Sequence, residues 1–264
     1  MSIQIQSYGH SAFHLRGPEH SVFIDPHGPM PGLPVRFEYP LIRGVTADLL
    51  LITHEHPDHN NAGAIENPGQ VIRSAAGTHR SSIGGVVSIA PEHDAVAGTV
   101  LGANTIVVFS LDGLRIAHFG DFGQRGLRPE QRAAIGAVDL VFVPVGGNDA
   151  TLDGPGAARL VRELEPTWVI PMHYETQATD FLEPVDGFIA AMGGGERSSA
   201  DTIEVDAADR SPGAMRPIAL AGPVATGSSA VARNRYEATT PNGSSERPAS
   251  LRSRFAISAI SSGA

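Results

Sequence analysis

"LLLITHEHPDHNNAG", residues 49–63, joins a short apolar run to six residues holding three histidines and two acids. A brief, wholly apolar run is the pattern of a strand buried on both faces. Buried polar groups are costly unless paired, so a polar cluster set on the end of such a strand needs a reason. His54 and His56 are two residues apart, and in an extended segment residues i and i+2 point the same way. Pro57 disfavours helical geometry at His56 and keeps the segment extended there. Both imidazoles can then converge on one point past the strand end. Asp58 and His59, beyond the proline, can aim at a second point nearby. Imidazole and carboxylate together suit divalent zinc, and also iron or manganese. A zincin helix of the H-E-x-x-H kind fails, because no histidine stands four residues after His54 and Pro57 would break the helix.

Composition bounds the rest. The chain has 264 residues, 41% of them hydrophobic, which suits one full-sized domain with a core, or a domain plus a tail. It has no cysteine, which excludes disulfides, thiolate nucleophiles and Cys-ligated metals. All nineteen basic residues are arginine, so a lysine Schiff base and a P-loop lysine are excluded as well. A formal charge of −9 argues against a general nucleic-acid binder, since phosphate contacts need clustered cations. "MSIQIQSYGH" shows neither a basic n-region nor an apolar h-region. No apolar run approaches the ~18 residues of a membrane span. The expectation is a soluble, cytoplasmic protein acting on a small-molecule substrate.

The first half reads as short strands at 3–6, 12–16, 21–25 and 47–53, then "QVIRS" and "GGVVSIA", separated by Gly, Pro and Ser signals. "TIVVFSLDGLRIAHFGD" reads as a hairpin with Asp112-Gly113 at its turn. The second half alternates. "RPEQRAAIGA", "DGPGAARLVRELEP" and "LEPVDGFIAAMG" read as helices, the second with Asp153 as N-cap and Pro155 in its first turn. "VDLVFVPV" and "TWVIPMH" lie between them as strands, and strands near 202–206 and 216–220 complete the domain. Strand-rich sequence followed by strand–helix repeats predicts an α/β sandwich of two packed sheets with helices outside. Residues 1–223 are read as this domain. Residues 224–264 are rich in Ser, Ala, Arg and Gly, carry five arginines against two glutamates, and are read as a disordered tail.

"THEHPDH" resembles the H-x-H-x-D-H signature of the metallo-β-lactamase superfamily. "YGHSAFHL", "FIDP", "NTIVVFSLDGLRIAHFGDFG", "VPVGG" and "VIPMHY" extend the resemblance from about Ile3 to Gly222. It is nearest a small stand-alone branch of metal-dependent hydrolases, similar to ascorbate-6-phosphate lactonase-like and phospholipase D-like members. The resemblance implies a four-layer αββα sandwich of two mixed sheets and a centre of two divalent ions, zinc first, manganese or iron otherwise. His54 and His56 would hold the first ion with a third histidine, His93 in preference to His79. Asp121 would bridge, and Asp58, His59 and His173 would hold the second ion. A hydroxide held between the ions would attack an ester, lactone, phosphodiester or amide. Asp58 would orient it or carry a proton, and His10 would support the metal ligands from behind or, like Tyr174, contact the developing charge. His118 is expected to be a core histidine, and Asp25 to buttress a ligand-bearing loop or serve a turn. Two rivals stand beside this reading: a metal-binding regulatory protein with an idle site, and a diiron redox enzyme. Diiron relatives typically carry glutamate where this chain has His56.

Overall fold

Five strand ends that meet at one edge of a sandwich decide where the chemistry of this chain can lie. The computed structural model describes residues 1–30, 35–91, 102–148 and 150–223. His93 and the segment 224–264 lie outside the described residues.

The N-terminal half builds most of a six-stranded sheet from β1 (Ser2–Gly9), β2 (Ala12–Arg16), β3 (Ser21–Ile24), β4 (Leu49–Ile52) and β5 (Gln70–Arg73). An eight-stranded sheet takes β6 (Gly77–Ser81), β7 (Gly84–Ile89), β8 (Ile106–Leu111), β9 (Leu114–His118), β10 (Leu140–Pro144) and β11 (Trp168–Met172). It is completed by β12 (Glu196–Arg197) and β14 (Arg216–Ala219), while β13 (Thr202–Asp206) returns to the first sheet. Among the described residues three helices are interspersed, α1 (Pro129–Ile135), α2 (Gly154–Leu164) and α3 (Asp186–Met192). The strand orders are β13-β1-β2-β3-β4-β5 and β12-β14-β11-β10-β9-β8-β7-β6.

Both sheets are mixed. β3, β4 and β5 run parallel, as do β9, β10, β11, β14 and β12, and the remaining neighbours are antiparallel. β1 shows why the sheets pack. Its residues alternate, so Ile3 and Ile5 are fully buried while Gln4 is exposed. Those inward faces meet Phe109, Leu114, Phe142 and Ile170 of the other sheet in one apolar core. The outer face of the eight-stranded sheet is covered by the helices, through Ile135, Ala157, Leu160, Val161 and Phe188. Asp153 caps α2 as expected, its side chain accepting from the Gly156 N–H. The outer face of the six-stranded sheet, with Phe23, Leu50 and Ile52, is covered more thinly by Ile42, Val45 and Ile65 from the connection between β3 and β5, beside a short 3₁₀ turn at Ala62–Ala64.

The predicted elements hold with three differences, the first being the two-residue strand β12, which no sequence pattern marks. The third helix begins only at Asp186, after the proline of "LEP". Residues 77–81, to which the sequence reading assigns no element, form strand β6 at the edge of the sheet. An exposed edge strand carries polar residues on both faces, so "GTHRS" has no alternation to read. Among the described residues no helix is long and apolar enough to cross a membrane.

Candidate metal centre

The C-terminal ends of β1, β3, β4, β9 and β11 open on one edge of the sandwich. They are followed by His10, Asp25, the segment 53–59, Asp121 and His173 respectively. His10, Asp25 and His173 have φ values of 56°, 48° and 53°. Left-handed backbone at non-glycine residues costs about 1–3 kcal/mol and persists where the surroundings impose it. In each case it turns the side chain off the line of the strand that precedes it.

Among the described residues three overlapping sets of donor atoms converge, each within 4.8 Å: His54, His56 and Asp121; His10, Asp58, His59 and His173; and Asp25, His54 and His59. Asp121 connects the first two. Its carboxylate lies 3.7 Å from His54 Nε2, 3.3 Å from His59 Nε2 and 3.2 Å from His173 Nε2. All of these residues are buried except His56, which is half-buried. Imidazoles and carboxylates that face one another in a buried space form the donor set of a borderline divalent cation, so the residues present fit such an ion.

Behind these groups runs a second layer of contacts. Asp25, fully buried, accepts hydrogen bonds from the Thr53 N–H at 2.8 Å and the Thr53 hydroxyl at 2.7 Å. Its Oδ2 lies 3.0 Å from His59 Nδ1, which fixes the proton there and leaves Nε2 to face Asp58 and Asp121. The buttressing expected of Asp25 is what the hydrogen bonds show. The Asp121 turn is clamped from two sides. Asn104 receives the Asp121 N–H at Oδ1 and donates from Nδ2 to the Phe119 carbonyl. His118 accepts the Gly120 N–H at Nδ1 and reaches the Ser11 carbonyl with Nε2 at 3.2 Å, so it is a core histidine that ties the two sheets together. Gly120 sits at φ +52°, and a Cβ there would collide with Asn104 Oδ1 and lie 2.7 Å from Thr53 Oγ1. Asn104 and Thr105 carry no sequence signal of this role. Only their burial and their bonds to Phe119, Asp121 and Thr53 reveal it.

His10 is buried, and its Nε2 lies 3.0 Å from Asp58 Oδ2. Burial, reinforced by His173, lowers its pKa to about 4 despite Asp58. It is therefore neutral at pH 7 and donates from Nε2. Burial would raise Asp58, but His59 and His10 outweigh it and hold this carboxylate well below its usual range. Asp121 is likewise held down by His173 and His59 against its burial. For His59 burial acts to lower the pKa, and Asp121 and Asp58 overcome it and raise it well above 6.5. Tyr174 donates its hydroxyl to the Leu220 carbonyl at 3.1 Å. Burial pushes its pKa up to about 12, so its proton is committed to the backbone. His79, on β6, bonds to the Ala75 carbonyl and stands outside the donor sets found among the described residues.

These shifts set a pH dependence for the metal-free protein. A lowered histidine contributes stability that is present above 6.5 and lost as the pH falls towards its folded value. His10 and His14 both fall to about 4, His14 through burial and the neighbouring Arg16. Between pH 7 and pH 5 the loss from His10 is on the order of 2 kcal/mol, and His14, partly screened by solvent, adds a smaller amount. His59 has the opposite sign: its contribution is complete below 6.5 and lost as the pH rises through its raised folded value. Urea unfolding in chelator is expected to give a lower stability at pH 5 than at pH 7. Equal or greater stability at pH 5 contradicts the neutral, buried state of His10 and His14.

Comparison with known proteins agrees with this geometry. The model of the beta-lactamase superfamily domain matches residues 4–173. A UPF0173 metal-dependent hydrolase of Thermococcus onnurineus is 30% identical over 200 residues, covering 66% of this chain and 85% of the relative. One from Korarchaeum cryptofilum is 33% identical over 200 residues, covering 66% and 84%. A Thermotoga maritima structure, assigned to the Zn-dependent hydrolases of the metallo-beta-lactamase superfamily, superposes with a TM-score of 0.66 at 27% identity, covering 83% of this chain and 98% of that one. A metallo-hydrolase of Ignicoccus hospitalis shares the fold, with a TM-score of 0.58 at 22% identity, covering 78% and 99%. With the signature at 54–59 placed at the converging strand ends, the chain belongs to the beta-lactamase superfamily and, within it, to the UPF0173 metal-dependent hydrolases.

Proposed function

We propose that this chain hydrolyses an ester, lactone, phosphodiester or amide bond of a small-molecule substrate at a centre of two divalent ions, zinc in the first instance. The observation that carries the reading is the position of Asp121, whose carboxylate lies within 3.7 Å of His54, His59 and His173 and so joins both donor sets. His54, His56 and Asp121 would hold one ion, with His93 as the further ligand. Asp58, His59, His173 and the shared Asp121 would hold the other. Divalent ions bound there supply Lewis acidity, which lowers the pKa of water to roughly 7 and polarises a carbonyl or phosphoryl oxygen.

The chain's own groups set the geometry. His10 donates from Nε2 to Asp58 Oδ2 and holds that carboxylate in one orientation. Asp58 Oδ1 takes no part in this bond and is the atom we assign to orient the attacking water. Asp25 keeps His59 in the tautomer that presents Nε2 to the centre. Segment 53–59 is fixed from below by the bond from Thr105 Oγ1 to the Thr53 carbonyl and on its outer side by Arg73, which binds Glu55.

The test is metal quantification on purified protein, followed by a panel of lactones, phosphodiesters, carboxylic esters and acyl amides. The expected result is two equivalents of divalent metal and turnover that disappears with chelator and returns on adding zinc or manganese. Tight metal binding without turnover across the panel replaces this reading with that of a metal-binding protein with an idle site.

A further inference from the structure

Two loops from distant parts of the chain meet beside His10. Residues 35–40 lie in the connection that follows β3, and residues 174–183 follow β11. They are fastened along their length. The Arg36 N–H donates to Asp180 Oδ1 at 3.0 Å and the Glu38 N–H to the Ala178 carbonyl at 2.8 Å. Phe37 and Thr179 form an antiparallel bridge, and the Tyr39 and Thr176 hydroxyls are 2.9 Å apart. Asn148 Nδ2 binds the Phe181 carbonyl and secures the far end.

This clasp brings two phenyl rings to one imidazole. Phe37 meets His10 edge-on with ring centroids 5.1 Å apart, and Phe181 lies at 6.4 Å. Both phenylalanines are only half-buried, whereas His10 is buried and bound to Asp58. Apolar surface therefore begins one side chain away from the donor cluster. Covering it with an apolar group gains about 25 cal/mol per Å² removed from water. The charges of the clasp select in the same direction. Its exposed ionic side chains are Glu38, Glu175, Asp180 and Glu183 against Arg36 alone, and that guanidinium lies 4.0 Å from Asp180. An anionic group on this side meets like charge, and a neutral one does not.

We propose that Phe37 and Phe181 form a specificity wall, and that the substrate carries a neutral aryl or alkyl group on the side of the scissile bond that faces His10. This rests on the hydrolytic reading above and narrows it to a class of substrate.

The experiment uses the full chain loaded with zinc. kcat/KM is measured for 4-nitrophenyl phenylacetate, acetate and hemisuccinate, in the wild type and in Phe37→Ala, Phe37→Leu and Phe181→Ala. Phenylacetate is expected to exceed acetate by about tenfold or more, the range one apolar contact surface supplies, and hemisuccinate to fall below acetate. Phe37→Ala and Phe181→Ala lower the phenylacetate-to-acetate ratio, chiefly through KM, and Phe37→Leu restores most of it. Thermal unfolding identifies any variant that has not folded. In parallel, calorimetric titration compares phenylacetone with acetone, ketones that hydrolysis cannot cleave, and the aryl ketone is expected to bind about tenfold tighter, with the advantage lost in Phe37→Ala. Equal binding of the two ketones, a flat ester ratio, or a preference for hemisuccinate overturns the wall. Absence of all turnover with the aryl preference intact in binding overturns the hydrolytic reading and leaves the wall standing.

Discussion

Asp121→Ala is expected to lower turnover of any substrate the wild type cleaves by about a thousandfold and to lower the metal content of the purified protein. The magnitude exceeds the roughly 10–100-fold typical of groups that only support a ligand. The reason is the position of this carboxylate between His54 Nε2, His59 Nε2 and His173 Nε2. Without it the donor sets share no anion. The buried imidazole of His59 also loses the largest of the carboxylate interactions that raise its pKa. Asp121→Asn separates charge from shape. Its backbone N–H still reaches Asn104 Oδ1, so the turn is kept while the negative charge is removed. The check is metal analysis by mass spectrometry together with steady-state rates. If either variant retains both metal and a rate within tenfold of the wild type, Asp121 is not a shared ligand.

The second large effect is on stability. Asp25→Ala is expected to destabilise the metal-free protein by about 3–5 kcal/mol, the usual cost of removing one partner from a buried ionic cluster. Asp25 is completely buried and serves Thr53 through two hydrogen bonds and His59 through a third contact. Its loss leaves the Thr53 N–H, the Thr53 hydroxyl and His59 Nδ1 without that acceptor, in a place water does not readily reach. It also frees the tautomer of His59, so metal affinity should fall by about 10–100-fold in the same variant. Asp25→Asn should be intermediate. Its carbonyl can still serve Thr53, but an amide N–H presented to His59 Nδ1 favours the wrong tautomer. Urea unfolding in chelator reads the first effect, and competition with a chromogenic chelator reads the second. A change of less than about 1 kcal/mol in Asp25→Ala would show that the loop is held elsewhere.

Much of the architecture could be read from local pattern, because a strand or a helix is decided over a few residues. Ile3 and Ile5 alternate with polar neighbours, Leu49 to Ile52 are apolar on both faces, and Asp112-Gly113 marks a hairpin. Strand β6 escaped because an exposed edge carries no such pattern. The pairing of His54 with His56 is also local, since the period of an extended chain puts both on one side. The family signature supplied the remaining residues by position, including His93 beyond the described residues.

Convergence is a different matter, because it depends on which strands pair. β1, β3 and β4 lie close together in one sheet, β9 and β11 in the other, and packing the two brings His10, Asp25, Asp58, Asp121 and His173 to one edge. No spacing in the chain states that His10 grips Asp58 across 48 residues, or that Asn104 holds the turn of Asp121. Tyr174 stands next to His173 in sequence, yet its hydroxyl is spent on the Leu220 carbonyl. The residues themselves determined what chemistry this protein can hold. Only sheet pairing, a cooperative property of the whole domain, decided which of them share a centre and which aromatic rings stand beside it.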